Sequence, residues 1–300
     1  MSTIWPRGLV TALVTPLRDD RVDHDAFSRL IEFQIGQGAA GLIVTGGTGE
    51  YGALGFDERA DLYARAVEFA RGRVPVFAAP ACLSTAETIA LSHKAAEAGG
   101  AGLLLASPFG EPISWQERRA FYREVAEAVP PPDMIYNTPP AGLLALSQIA
   151  ARAAIPGISA VKDSSGDAEL MGDLLAWRET SGFAVYVGKD AFLFEAMTGG
   201  ADGAVFGVAN FIPREVAGFI SMVQGGVALE TIRARWRALR PLMRMMEGAS
   251  NYVGLCKAGC GLRGLEVGEV RRPYRMPQAT EIASVKDWLM RADAGAAMTQ

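Results

Sequence analysis

The chain has 300 residues, 50% of them hydrophobic and 21% charged, enough for one large or two ordinary domains with a well-buried core; disorder, a collagen repeat and a disulfide scaffold are excluded. Lysine plus arginine is 29 against 33 aspartate plus glutamate, a formal charge of −4, which leaves no electrostatic footprint for nucleic acid or anionic lipid. The charged stretch from Arg7 to Asp25, and the lack of an apolar run of membrane-spanning length, lead us to expect a soluble, cytoplasmic protein with neither a nucleic-acid nor a membrane partner.

Along the chain, short aliphatic runs alternate with amphipathic stretches of about a dozen residues, the pattern of parallel strands covered by helices. The strands are expected at Leu9 to Val14, Gly41 to Thr45, Val74 to Ala79, Gly102 to Ala106, Asp133 to Tyr136, Ile158 to Lys162, Phe183 to Val187 and Gly203 to Phe206. A helix is expected after each: Asp23 to Gln37, Asp57 to Ala70, Thr85 to Ala98, Trp115 to Ala128, Ser147 to Ala153, Ala168 to Glu179, Ala191 to Met197 and Pro213 to Val223. Ser84 or Thr85 ahead of Glu87, Gly38 and Gly99 after last turns, and Pro213 in a first turn mark several of the boundaries. Such a count fits an α/β chain folded as a (β/α)8 TIM barrel over residues 1–225, with 226–300 as a C-terminal helical appendage broken at Gly248 and around Pro273 and Pro277. An open doubly wound sheet is the alternative, because Gly47-Thr48-Gly49-Glu50-Tyr51-Gly52 matches a dinucleotide fingerprint. The match lies in the second unit, and the next strand ends Ala78-Ala79-Pro80 with no carboxylate to hold a ribose, so nucleotide binding is set aside.

Barrel chemistry sits where strands end. Of the chain's five lysines only Lys162 and Lys189 fall there, and Lys162 closes the otherwise uncharged Ile158-Ser159-Ala160-Val161. Its ammonium is expected to be partly desolvated and thereby nucleophilic, the alternative being a solvated terminus or a pair with Asp163 or Asp167. Lys189, between Gly188 and Asp190, reads as a more open loop. Tyr136 ends the preceding strand, where its phenol can move protons or serve as a core plug. Gly46-Gly47-Thr48-Gly49-Glu50 would let backbone N–H groups approach an anion and present one hydroxyl. Three cysteines (Cys82, Cys256, Cys260) and two helical histidines (His24, His93) supply neither a disulfide framework nor a metal site, which sets a metal-dependent aldolase aside.

Gly46-Gly47-Thr48-Gly49-Glu50, Tyr136-Asn137-Thr138-Pro139 and Val161-Lys162-Asp163-Ser164-Ser165-Gly166-Asp167 resemble the dihydrodipicolinate synthase / N-acetylneuraminate lyase family of class I lyases, from about Gly8 to Pro277. The opening Thr11-Ala12-Leu13-Val14-Thr15-Pro16 and the closing Gly261-Leu262-Arg263-Gly264-Leu265 belong to the same pattern. The resemblance implies a cofactor-free barrel, usually a homotetramer built as a dimer of dimers, in which Lys162 forms a Schiff base with pyruvate or another 2-oxo acid. Tyr136 would be its proton shuttle, Thr48 would link that shuttle to solvent, Gly47 and Thr48 would cradle the carboxylate, Ser164 and Gly188 would line the pocket, and Val205 would offer its carbonyl. Departures bear on the substrate. The synthase pattern has a second hydroxyl residue where Gly47 stands, aromatic residues including a tyrosine at Phe109-Gly110, and an arginine at Ala141. Gly-Gly-Thr-Gly-Glu is also familiar from the sugar-acid dehydratase branch. An aldolase or dehydratase acting on a sugar-derived or 4-hydroxy-2-oxo acid is therefore expected, with the dihydrodipicolinate synthase reaction, or a non-catalytic 2-oxo-acid-binding barrel, as the alternatives.

Overall fold

The computed structural model describes residues 5–129 and 132–297. Within them eight parallel strands close into a barrel in chain order. They are β1 (Gly8–Ala12), β2 (Gly41–Val44), β3 (Val76–Ala78), β4 (Gly102–Ala106), β5 (Asp133–Asn137), β6 (Ile158–Asp163), β7 (Ala184–Val187) and β8 (Gly203–Phe206). The helix ring is α1 (His24–Gly36), α2 (Phe56–Ala70), α3 (Thr85–Glu97), α4 (Trp115–Ala128), α5 (Leu146–Ala153), α6 (Ala168–Ser181), α7 (Leu193–Thr198) and α8 (Pro213–Gln224). Three more helices follow, α9 (Leu229–Glu247), α10 (Tyr252–Leu262) and α11 (Ala279–Ala297). The fold is the TIM barrel with C-terminal helices that the alternation of runs implies. No helix among the described residues is long and apolar enough to cross a membrane.

Local chemistry sets the helix starts. Asp23 accepts the Ala26 N–H ahead of α1, Ser84 that of Glu87 ahead of α3, and Ser114 and Glu117 form a reciprocal capping box on α4. Gly38 and Gly99, just beyond α1 and α3, take φ of +92° and +85°, which favours glycine there. Two features depart from the sequence reading. Leu17–Arg18 and Arg21–Val22 form a small antiparallel pair turned at Asp19 and Asp20, whose φ values are 51° and 61°; two-residue strands are too short to show a period. In the seventh unit the expected helix divides into a 3-10 turn, Asp190–Phe192, followed by α7.

Strand parity separates two cores. Val10, Ile43, Phe77, Leu104, Met134, Ala160, Tyr186 and Val205 fill the barrel interior, closed off by Trp5 stacked on Phe77 at 4.5 Å. The other face of each strand packs on the helices, and this outer core runs without interruption into α9, α10 and α11. Trp236 of α9 lies 5.8 Å from Phe219 and 6.2 Å from Phe194, stitching the appendage to the helices of units seven and eight.

One buried charge works against this packing. Asp133, at the start of β5 and away from the mouth, is 1% exposed, and neither carboxylate oxygen has a hydrogen-bond partner among the described residues. Burial pushes its carboxyl up to about 7. The folded chain thus holds a proton that the unfolded chain gives up near pH ~4, and the linked stability falls as pH rises from there to about 7 and is level above. Asp133→Asn is expected to match the parent near pH 4 and to exceed it at pH 8 by roughly 4 kcal/mol, at ~1.4 kcal/mol per pH unit. Urea unfolding at the two pH values checks this, and parallel stability curves would contradict it.

Candidate active site

Parity also decides which side chains enter the mouth. Met134 and Ala160 belong to the barrel interior, so Tyr136 and Lys162, two residues further along β5 and β6, point the same way at the carboxyl end. The register pairs Tyr136 with Lys162 directly. Lys162 is 7% exposed, and its Nζ stands 4.0 Å from the centroid of the Tyr136 ring, a cation–π contact.

The nearby acids are committed elsewhere. Asp163 accepts from Asn137 Nδ2 at 2.6 Å and from Ser165 Oγ at 2.8 Å. Asp167 caps α6 by accepting the N–H groups of Glu169 and Leu170. Lys189 turns out of the mouth, its stem over Gly166 and its Nζ 3.4 Å from Glu247 of α9. Of the two strand-end lysines, only Lys162 therefore faces the phenol. Burial by itself would raise the Tyr136 phenol; the Lys162 ammonium and the hydroxyls of Ser164 and Thr138 outweigh it and hold the phenol below its ordinary value.

Ser164 and Gly188 adjoin Lys162. A Cβ on Gly188 would run into Ser164 Oγ and lie 2.6 Å from Lys162 Cε, so the close approach of β7 to the lysine requires glycine. Ser164 Oγ is buried at the mouth, within reach of the Tyr136 phenol. Val205 is in the barrel interior, on β8 opposite Val10. Thr48 stands across the barrel from β6, against Gly207 at the end of β8, where a Cβ would meet Thr48 Oγ1 at 2.7 Å.

The glycine-rich turn is built differently from a run of left-handed glycines. Positive φ falls on Thr45 (54°) and Glu50 (60°), while a Cβ on Gly47 would meet nothing within 4 Å. Gly49 is the sterically required member, since a Cβ there would lie 3.0 Å from Thr45 Cα and 3.1 Å from the Leu13 carbonyl. Glu50 is buried beneath the turn, its Oε1 2.6 Å from Lys257 Nζ of α10 and its Oε2 accepting the Arg271 N–H at 2.8 Å. Lys257 also donates to the Glu269 carbonyl at 2.8 Å. A left-handed residue tied to the appendage thus fixes the segment that carries Thr48.

Three further groups belong to the mouth. Asp190 is 2% exposed, although Lys189 before it keeps the more open setting read from the sequence. It accepts from Tyr252 Oη at 2.7 Å, and burial pushes its carboxyl up to about 8, with Tyr252, Lys162 and Lys189 opposing the rise. Tyr252 in turn accepts the Val208 N–H at 2.8 Å, and its ring crowds Gly207 beside Thr48. Tyr51 meets the ring of Phe109 edge-on at 5.6 Å, so a phenol of this same chain stands beside the position where the family pattern has its additional tyrosine. Adjacency to Lys189 was the signal for Asp190 in the sequence; Tyr252, carried in by α10, had none.

A barrel mouth in which a buried lysine faces a phenol, with serine and threonine hydroxyls beside them, defines a carbon–carbon or carbon–oxygen lyase. A profile of the Dihydrodipicolinate synthetase family matches residues 5–292, and the chain belongs to that family. It is 36% identical over 300 residues to the 4-hydroxy-tetrahydrodipicolinate synthase of Salinibacter ruber, covering 95% of this chain and 96% of that protein. It is 39% identical over 211 residues to the like-named enzyme of Thiobacillus denitrificans, covering 69% and 71%. Among solved structures, the 4-hydroxy-tetrahydrodipicolinate synthase of Methylacidiphilum fumariolicum SolV superposes with a TM-score of 0.91 at 27% identity over 97% of each chain. The dihydrodipicolinate synthase of Acinetobacter baumannii complexed with pyruvate gives 0.90 at 27% identity, covering 96% and 99%.

Proposed function

We propose that Lys162 forms a Schiff base with pyruvate or another 2-oxo acid. The observation that carries this reading is the nearly buried Lys162 Nζ held 4.0 Å from the Tyr136 ring centroid. The amine adds to the ketone carbon, and the carbinolamine loses water, so the oxygen leaves with two protons and the protonated imine remains. That imine draws electrons from the neighbouring carbon, which then adds to an aldehyde, releases one, or permits loss of a hydroxide. Tyr136 passes protons to and from the leaving oxygen, helped by its lowered phenol. The turn at Gly47 and Thr48 receives the carboxylate of the oxo acid, Ser164 and Gly188 line the pocket, and Val205 offers its carbonyl. This chemistry needs no added cofactor.

For the second substrate, the names of the relatives favour the synthase reaction, pyruvate with aspartate semialdehyde, over the sugar-acid reading drawn from the motif departures. The sugar-acid or 4-hydroxy-2-oxo acid reading keeps specific support in Ala141, which is buried in the turn Pro139–Ala141, and in Phe109 and Gly110. A coupled assay with pyruvate and aspartate semialdehyde, beside deoxy-keto sugar acids and 4-hydroxy-2-oxo acids, ranks them. Turnover is expected to be highest with aspartate semialdehyde; the reverse order would make a sugar-derived acid the substrate. A homotetramer, as a dimer of dimers, is part of the same proposal. One structural neighbour, at TM-score 0.90, is described as a monomeric dihydrodipicolinate synthase variant.

A further inference from the structure

Tyr252 opens α10 and enters the mouth from the C-terminal helices. Its place is fixed by the residue before it: Asn251 accepts the Gly254 N–H at 3.1 Å and donates to the Arg275 carbonyl at 2.6 Å. The phenol donates to Asp190 Oδ2 at 2.7 Å and accepts the Val208 N–H at 2.8 Å, so one oxygen joins the loop after β7 to the loop after β8. Asp190 and Val208 are both buried, and neither can exchange this bond for solvent.

Each of these loops carries one side of the site. Gly188, two residues before Asp190, abuts Lys162, where a Cβ would lie 2.6 Å from the lysine Cε. Gly207, just before Val208, is closed in from two directions: a Cβ there would lie 2.6 Å from Tyr252 Cε1, 2.7 Å from Thr48 Oγ1 and 2.9 Å from Thr48 Cγ2. The edge of the tyrosine ring and the threonine side chain thus converge on one point, and a ring that drifts opens space into which Thr48 can turn. The same helix, through Lys257, also holds Glu50 beneath the turn that carries Thr48.

From this we infer that Tyr252, anchored by Asp190, is a positioning residue for the 2-oxo acid: it holds the Thr48 hydroxyl in register with the Lys162 amine across the barrel mouth. The inference rests on the reading of Lys162 as the imine-forming amine and of Thr48 as a ligand of the substrate carboxylate. Tyr252 acts through Thr48, which makes the first turn of α10 part of the substrate site. A phenylalanine keeps the ring but leaves the Asp190 carboxyl and the Val208 N–H without their partner, and an unsatisfied buried group costs more than the bond itself contributed.

Borohydride trapping on Lys162, followed against pyruvate concentration, separates half-saturation from the limiting rate. Thr48→Val is expected to raise half-saturation at least ~10-fold, the low end of the worth of a hydrogen bond to a charged group. Tyr252→Phe should raise it ~5-fold or more with the limiting rate within ~2-fold of the parent, and should add nothing further in the Thr48→Val background. Asp190→Ala, which removes the acceptor, should reproduce the Tyr252→Phe rise, while Asp190→Asn, which still accepts the phenol proton, should stay near the parent. A Tyr252 that serves the fold alone would lower thermal stability or the limiting rate and leave half-saturation unmoved, or its effect would multiply with that of Thr48→Val; either result overturns the inference. If Tyr252→Phe does not fold, the two Asp190 variants decide, and parent-like half-saturation in Asp190→Ala overturns it. Parent-like half-saturation in Thr48→Val fails the cradle reading and the inference with it. If pyruvate leaves no label on Lys162, the Schiff-base reading fails on its own, and the same variants are compared by calorimetry of pyruvate binding. The same pattern of losses there supports the positioning role, and a parent that binds no pyruvate overturns it.

Discussion

Incubation with pyruvate and borohydride is expected to add a lactyl-sized mass to the peptide containing Lys162, and Lys162→Ala to lose that label together with ~10⁴-fold or more of the turnover, the usual consequence of removing a covalent nucleophile. The geometry makes the outcome selective. Lys162 is held against the Tyr136 ring, while Lys189 is drawn toward Glu247 and covers Gly166 with its stem. Lys257, the other buried amine, is engaged by Glu50 and the Glu269 carbonyl. Label on Lys189, or retained turnover in Lys162→Ala, would overturn the mechanism. Peptide mass mapping of the reduced adduct decides between these outcomes.

Tyr136→Phe is expected to keep the fold and reduce turnover by roughly a hundredfold or more, the worth of a positioned acid/base. The ring remains to face the ammonium, so borohydride trapping should persist at a slower rate. What is lost is the one phenol that Lys162, Ser164 and Thr138 together hold below its ordinary value. Comparing the pre-steady-state trapping rate with steady-state turnover separates the two contributions. Near-normal turnover would leave Tyr136 as a platform for the ammonium and nothing more.

Much of the barrel was legible because a parallel strand buried on both faces is a short aliphatic run, and a helix packed on it has a period the eye can follow. With Met134 and Ala160 in the barrel interior, parity aims Tyr136 and Lys162, two residues further on, inward as well. What stayed hidden depends on groups brought together from far apart. Tyr252 reaches Asp190 across 62 positions, and Glu50 meets Lys257 across the junction between barrel and appendage. A search for a guanidinium at one position of the fifth loop finds Ala141, whereas Arg118 arrives at the neighbouring Gly142 from the preceding unit's helix. Local sequence carries no trace of such a contact, because side-chain reach and helix packing decide it.

The ion pair under the glycine-rich turn sets a rule for anyone recombining this fold. Residues 226–300 do not behave as an exchangeable cap, since Lys257 and the backbone N–H of Arg271 both grip Glu50, whose own backbone is held at φ 60°. A chimaera that joins this barrel to the C-terminal helices of a relative inherits a buried carboxylate whose counter-charge was left behind, at a cost of about 3–5 kcal/mol. The graft must therefore bring a lysine at the position of 257, or exchange Glu50 with it. Recombination that respects this pairing moves the second loop and the tenth helix as one heritable unit, although more than 200 positions of other sequence lie between them.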